Sequence, residues 1–330
     1  MIIRFKPGLR AAELDRIKNK IADFLPGAVL ADGRGFISVR TRRPELLGER
    51  LALIENLPGV QKTELSLEET CPRTLAAPPP ELAGIFKKNA AKKFILIAGP
   101  CAIEDEASYL AAAVRLKAAG ANALRAALFK PRTSPYSFQG LGGKGFSIIK
   151  KAKRRTGLAA VTEATSETQL ADISRFCDVI QLGARNMRNY ELLKAAAAFG
   201  RPVLLKRAPG ATLKEWLLSA EYLIKYGNEN IILCERGDSF SKPDPRGLDL
   251  KMIQRAVKAA ALPVIADPSH AAGDRDLVPA QALAAVRAGA DGLMIETALD
   301  PGTAIMDGRQ TLTLTAFAKL LKEIRKLRSL

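Results

Sequence analysis

The chain has 330 residues, 48% of them hydrophobic and 26% charged, which suffices for a sizeable core and excludes disorder on compositional grounds. Its formal net charge of +17 suits anionic partners, but basic clusters such as Lys150, Lys151, Lys153, Arg154 and Arg155 fall where helix ends are expected; they read as a solvated face, and no nucleic-acid partner is expected. The four cysteines lack zinc-finger spacing and follow no secretory signal, and no apolar run approaches the roughly 18 residues of a membrane span, so a cytoplasmic protein with reduced thiols and no membrane partner is expected.

Residues 1–70 predict strand, helix, strand, strand, helix, strand. Ile3 and Phe5 share one face of the first strand, and Leu14, Ile17, Ile21 and Phe24 follow at helical spacing until Pro26 and Gly27. Apolar runs around Val29 and Ile37 flank the hairpin signal Asp32-Gly33-Arg34-Gly35. A second amphipathic helix carries Leu47, Leu51 and Ile54 up to Pro58-Gly59, and residues 60–67 supply the last strand. That order is the ferredoxin-like βαββαβ arrangement, which hosts many unrelated functions. Residues 71–85, with Pro78, Pro79 and Pro80, read as a linker.

In residues 86–330 short apolar runs alternate with Ala- and Leu-rich helical stretches. The runs are 94–98, 123–129, 158–161, 179–182, 203–205, 231–233, 264–266 and 293–295. Eight buried strands alternating with helices predict a (β/α)8 TIM barrel. In such barrels chemistry sits at the C-terminal strand ends, and each run here delivers a polar group to that end: Cys101, Arg125 with Lys130 and Arg132, Glu163, Arg185, Lys206, Arg236, His270 and Glu296.

Two chemistries stand out in that set. Taken singly, Cys101 reads as a small buried hydrophobe, His270 as a hydrogen-bonded core residue and Asp307 as a turn residue beside Gly308. Gathered with Glu296 at one mouth, they offer one sulfur, one nitrogen and two carboxylates, a mixed site for Mn, Fe, Co or Zn. The second set, Arg125, Lys130, Arg132, Arg185, Lys206 and Arg236, suits carboxylate and phosphate groups, so the substrate is read as anionic and phosphorylated. Gly183 and Ala184 add backbone N–H donors if a helix begins at Asn186.

The segment from Lys130 to Gly140, Lys-Pro-Arg-Thr-Ser-Pro-Tyr-Ser-Phe-Gln-Gly, resembles that of 3-deoxy-D-arabino-heptulosonate 7-phosphate (DAHP) synthases, which open the shikimate pathway. Ala98-Gly99-Pro100-Cys101, Gly183-Ala184-Arg185-Asn186-Met187, Cys234-Glu235-Arg236-Gly237 and Asp267-Pro268-Ser269-His270-Ala271 are similar to the same family in the same order. The N-terminal extension looks like that of the form with a ferredoxin-like domain. The resemblance implies a transferase condensing phosphoenolpyruvate with erythrose 4-phosphate and water, with release of phosphate. It implies Cys101, His270, Glu296 and Asp307 as metal ligands, and Arg125, Lys130, Arg185, Lys206 and Arg236 as the phosphoenolpyruvate site. Arg132, Thr133 and Ser134 would bind erythrose 4-phosphate.

Lys130 is then the candidate proton donor, with a pKa expected to be lowered by neighbouring cations. Glu163 and Lys206 are the candidates to position the water. The alternatives are 3-deoxy-D-manno-octulosonate 8-phosphate synthase, which uses arabinose 5-phosphate, and a non-catalytic regulatory relative. The sequence departs from the family pattern at Ala126-Ala127, where two glycines are usual, and at Thr297-Ala298, where a Val-His pair is common; the stretch 238–247 is also unusual. Domain order implies an aromatic amino-acid effector for residues 1–70, although they contain no histidine. A homo-oligomer, dimer or tetramer, is expected.

Overall fold

Short apolar strands set up both halves of the structure, a computed structural model that describes residues 1–75, 94–132, 134–238 and 247–328. The chain divides into two compact units, Met1–Leu75 and Ala76–Leu330.

In the first unit β1 (Ile2–Phe5), α1 (Ala11–Phe24), β2 (Val29–Gly33), β3 (Phe36–Arg40), α2 (Pro44–Glu55) and β4 (Val60–Glu64) follow the expected order. The sheet runs β2-β3-β1-β4 and is antiparallel throughout. Ile3 and Ile37, paired across β1 and β3, meet Ile17 and Ile21 of α1 and Leu47 and Ile54 of α2 in one buried cluster. A short helix, α3 (Leu67–Thr70), follows, its N-cap Ser66 accepting from the Glu69 amide. Cys71 and Thr74 are fully buried, so the first residues of the expected linker pack as part of this unit. The rest of that linker falls in 76–93, outside the described residues.

In the second unit eight parallel strands close on themselves: β5 (Ile95–Gly99), β6 (Ala123–Arg125), β7 (Ala159–Ala164), β8 (Val179–Leu182), β9 (Val203–Lys206), β10 (Ile231–Glu235), β11 (Val264–Ala266) and β12 (Gly292–Ala298). Each pairs with the next, and β12 completes the ring by pairing with both β11 and β5. The helices between them are α4 (Glu106–Ala119), α5 (Phe146–Thr156), α6 (Leu170–Phe176), α7 (Tyr190–Ala198), α8 (Leu213–Lys225), α9 (Leu250–Ala259), α10 (Pro268–Ala272), α11 (Val278–Arg287) and the terminal α12 (Leu314–Arg328). A two-residue strand, β13 (Leu312–Thr313), which the sequence did not suggest, extends β12.

The second strand is shorter than its apolar run. It ends at Arg125, and the run 126–129 leaves the ladder through single bonds, Ala126 N to Val161 O (2.8 Å) and Lys130 N to Gln139 O (2.9 Å). Apolarity marks burial, and it does not distinguish a strand from a buried loop.

One buried cluster inside the ring includes Ala123, Val161, Leu204, Cys234, Ile265 and Met294. Because side chains alternate along a strand, the residue two positions later points the same way. On the strands those residues are Arg125, Glu163, Lys206 and Glu296, and Arg236 and Asp267 follow one residue past the ends of β10 and β11. The apolar interior therefore gives way to a buried charged layer at the C-terminal mouth. Closure at β5 and β12 is tight: a Cβ on Gly292 would collide with the Ile95 carbonyl. We expect Gly292→Ala to cost about 1–3 kcal/mol. A lower urea midpoint, followed by fluorescence of the sole and fully buried tryptophan, Trp216, checks this.

Candidate active site

Cys101 lies two residues past the end of β5, and Glu296 is paired in register with Gly99. His270 sits in α10, directly after β11. Asp267 caps this helix, accepting from the His270 amide at 3.1 Å, and Pro268 starts it where no N–H is needed. Asp307 comes from the loop after β12 and hydrogen-bonds Cys101, whose Sγ donates to Oδ2 at 2.8 Å. One ligand atom from each of Cys101, His270, Glu296 and Asp307 lies within 4.8 Å of all the others. Bonds of about 2.0–2.3 Å from one ion keep any two ligands within about 4.6 Å, so the group stands near coordination size.

Two further observations fit a cation. Among the described residues, Glu296 Oε1 is a buried acceptor without an aligned hydrogen bond. Protonation also matches. Burial lowers the His270 pKa, against the pull of Asp267 and Glu296, in the direction of the neutral imidazole that a metal ligand requires. Burial and the Glu296 charge push the Cys101 thiol well above its usual range, so it keeps its proton unless a cation displaces it.

Three of these four residues are held by neighbours outside the group. Asp267 Oδ2 stands 2.8 Å from His270 Nδ1 and also accepts from Lys206 Nζ, leaving Nε2 of the ring toward Glu296 at 3.3 Å. Although burial alone would raise it, His270 and Lys206 hold the Asp267 carboxyl well below the usual range. Gln310 Nε2 donates to Glu296 Oε2 (2.8 Å), and the Glu296 amide donates to Ser269 Oγ (2.9 Å). Arg125 spans the group, with Nη1 3.0 Å from Glu296 Oε1 and Nη2 3.5 Å from Cys101 Sγ.

Beside this group lies a buried basic layer. Lys130 Nζ donates to Glu163 Oε2 at 2.9 Å with both side chains nearly inaccessible. A Cβ on Gly183 would press on Glu163 Oε1. Arg236 is buried and donates to the His270 carbonyl at 3.3 Å. Arg207, on the next residue after Lys206, forks onto Glu235 and donates to Asp238 at 2.7 Å.

A sequence model of the DAHP synthetase I family matches residues 83–329. The chain belongs to the DAHP synthetase I family. Over 235 residues, 71% of this chain and 70% of the other, it is 43% identical to a phospho-2-dehydro-3-deoxyheptonate aldolase of Thermotoga maritima. A 2-dehydro-3-deoxyphosphooctonate aldolase of Nitratidesulfovibrio vulgaris is 35% identical over 263 residues, 74% of this chain and 96% of that one. The crystal structure of a Thermotoga maritima DAHP synthase superposes with a TM-score of 0.81 at 32% identity, covering 99% of this chain and 96% of that one.

Within this family member the structure brings together most of the residues picked from the sequence. Arg125, Lys130, Glu163, Lys206 and Arg236 are buried at the mouth with the four ligand candidates. Gly183 and Ala184 are buried near Glu163, and the charge of the exposed Arg185 acts on Arg236. Arg132 and Ser134 are exposed on the loop after β6; Thr133 lies outside the described residues.

Two readings change. No α-helix starts at Asn186: residues Ala184–Asn186 form a single 3-10 turn, and α7 begins at Tyr190 behind the Asn189 cap, so the dipole argument for Gly183 and Ala184 does not apply. The Lys130 pKa is raised, not lowered. Burial and the neighbouring Arg125 oppose the charge, and the Glu163 carboxylate hydrogen-bonded to it favours it. Sequence reasoning assigned no role to Asp267, Gln310 or Glu235. The inward parity two residues after Ile265 was a usable signal for Asp267.

Burial would raise the Glu163 carboxyl, and Lys130 together with Lys206 and Arg125 instead holds it below its usual value. Breaking such a buried pair on one side costs about 3–5 kcal/mol. We expect that loss for Lys130→Met in urea unfolding at neutral pH and recovery of most of it in Lys130→Met/Glu163→Gln. The depressed carboxyl contributes stability above the ordinary glutamate range and loses it as pH falls through the folded value; the raised lysine contributes below the ordinary lysine range and loses it as pH rises through its own. The margin of wild type over Lys130→Met should therefore be widest between those limits.

Proposed function

We propose that this member of the DAHP synthetase I family is a 3-deoxy-7-phosphoheptulonate synthase. It would join C3 of phosphoenolpyruvate to the aldehyde carbon of erythrose 4-phosphate, add water at C2 and release phosphate. The observation that carries the reading is the four-donor group set directly against a buried layer of Arg and Lys at one barrel mouth.

Cys101, His270, Glu296 and Asp307 would hold one divalent ion, which supplies Lewis-acid polarisation of the aldehyde when bound. The chain's own groups do the rest. Arg125, Lys206 and Arg236 lie buried where a carboxylate and a phosphate would receive charge-assisted hydrogen bonds, with Gly183, Ala184 and Arg185 alongside. Arg132, Thr133 and Ser134 follow Lys130 on the loop and would take the second phosphate. Lys130 keeps its proton at neutral pH and is the donor to the oxygen that becomes a hydroxyl, while Glu163, already its partner, can accept the proton that the water sheds on adding at C2 and return it to Lys130. Glu163 and Lys206 then orient the water that adds at C2, and the arginines stabilise the departing phosphate. A reducing compartment such as the cytoplasm suits this reading, since Cys101 can serve as a ligand only as a free thiol.

Purified protein given phosphoenolpyruvate should form product with erythrose 4-phosphate, lose activity with chelator and regain it with Mn or Zn. Equal turnover after chelation removes the ion from the reading. A preference for arabinose 5-phosphate, the other chemistry suggested by the phosphooctonate relatives, would replace it. His270→Ala should cut ion affinity and turnover together while circular dichroism stays unchanged. We further propose that residues 1–75 bind an aromatic amino-acid effector; no change in activity with added tyrosine or phenylalanine would overturn that.

A further inference from the structure

The loop after β12 holds Asp307 in a left-handed backbone conformation (φ 54°), the one such non-glycine residue among the described residues. Aspartate tolerates that region better than most side chains, but does not choose it freely. The next residue has no slack either: a Cβ on Gly308 would collide with the Pro301 carbonyl. A loop this constrained needs an anchor.

The anchor comes from the loop on the other side of the β5–β12 seam. Glu104 lies in the loop after β5, three residues beyond Cys101. Its Oε2 accepts from the Ile305 amide at 3.0 Å and its Oε1 from the Met306 amide at 2.9 Å. Met306 is buried against Cys101 and Ala102, with Phe138 packed on the same cluster. Two hydrogen bonds from one carboxylate to consecutive amides fix both the height and the rotation of the peptide that leads into Asp307. The same short stretch of chain thus carries one ligand candidate, Cys101, and clamps the other, Asp307, 206 residues away in sequence.

We infer that Glu104 is a positioning residue for the cation site, holding Asp307 at coordinating distance from Cys101. The inference rests on reading Cys101 and Asp307 as ligands. Glu104→Gln tests it, because glutamine keeps the shape but offers one acceptor, and its NH2 group opposes the second amide. The loss of a partner that orients a ligand typically lowers ion affinity about ten- to a hundredfold.

The experiment is a titration of the full chain with Co(II) alone, in wild type, Glu104→Gln, Asp307→Ala and the double variant. Expected is a loss of about ten- to a hundredfold for Glu104→Gln in the wild-type background, and no further loss when Asp307 is already alanine. A merely structural role would lower affinity equally in both backgrounds, and that result, or wild-type affinity in Glu104→Gln, overturns the inference while leaving the ligand reading intact. Wild-type affinity in Asp307→Ala overturns the ligand reading and the inference with it. Should Glu104→Gln fail to fold, Ile305→Pro removes one of the same hydrogen bonds at an exposed side chain, and the cycle is read in the same way.

Discussion

Charge buried inside a closed ring of strands is the constraint on which the rest of this structure depends. Arg125, Lys130, Glu163, Lys206, Arg236, Asp267 and Glu296 are all nearly inaccessible, and a buried charge survives only with partners. The partners are supplied across strands: Lys130 with Glu163, Lys206 with Asp267, Arg125 with Glu296. The first link joins neighbouring strands, β6 and β7, and the other two reach across an intervening one, β10 between Lys206 and Asp267 and β5 between Arg125 and Glu296. The pairs hold cationic groups in place where an anion would meet them, without leaving any of them alone in the meantime.

The same layer explains which parts of the site were legible in the sequence. The end of an apolar run is a local signal, so Cys101, Arg125, Glu163, Lys206, His270 and Glu296 could be picked out one by one. Their partners could not. Asp267 turns toward both Lys206 and His270, and Gln310 reaches Glu296, only once strand register and closure are known. Asp267 also resembles an ordinary helix cap, and it is one as well, which hides its second contact. The N-terminal fold was readable because its hairpin and helix stops are local, whereas the shortness of β6 depends on Val161 and Gln139 capturing backbone groups from elsewhere.

Of the departures expected from the family resemblance, Ala126, Ala127 and Thr297 fall at buried positions, and residues 239–246 lie outside the described residues. Ala126 and Ala127 are buried, and their carbonyls accept from Thr162 Oγ1 and from the Ile103 amide. Their backbone thus takes part in fixing the loops around Arg125 while their methyl groups fill interior space. Thr297 is fully buried next to Glu296, and its residue pairs with Leu312 of β13. The small strand that follows the ligand loop is therefore stitched to the very residue where the pattern changes.

The seam between β5 and β12 has a temporal meaning. These strands are neighbours in space and nearly two hundred residues apart in the chain, so their pairing carries the largest loop-closure cost in the barrel. Three of the four donor residues enter at that seam or just beyond it: Cys101 follows β5, Glu296 lies on β12 and Asp307 comes after it. During synthesis the donors cannot meet until the last strand has left the ribosome and sealed the ring. An ion held by all four would then act as a late fastener, bound only by chains whose topology is already complete, and partly built barrels would be passed over.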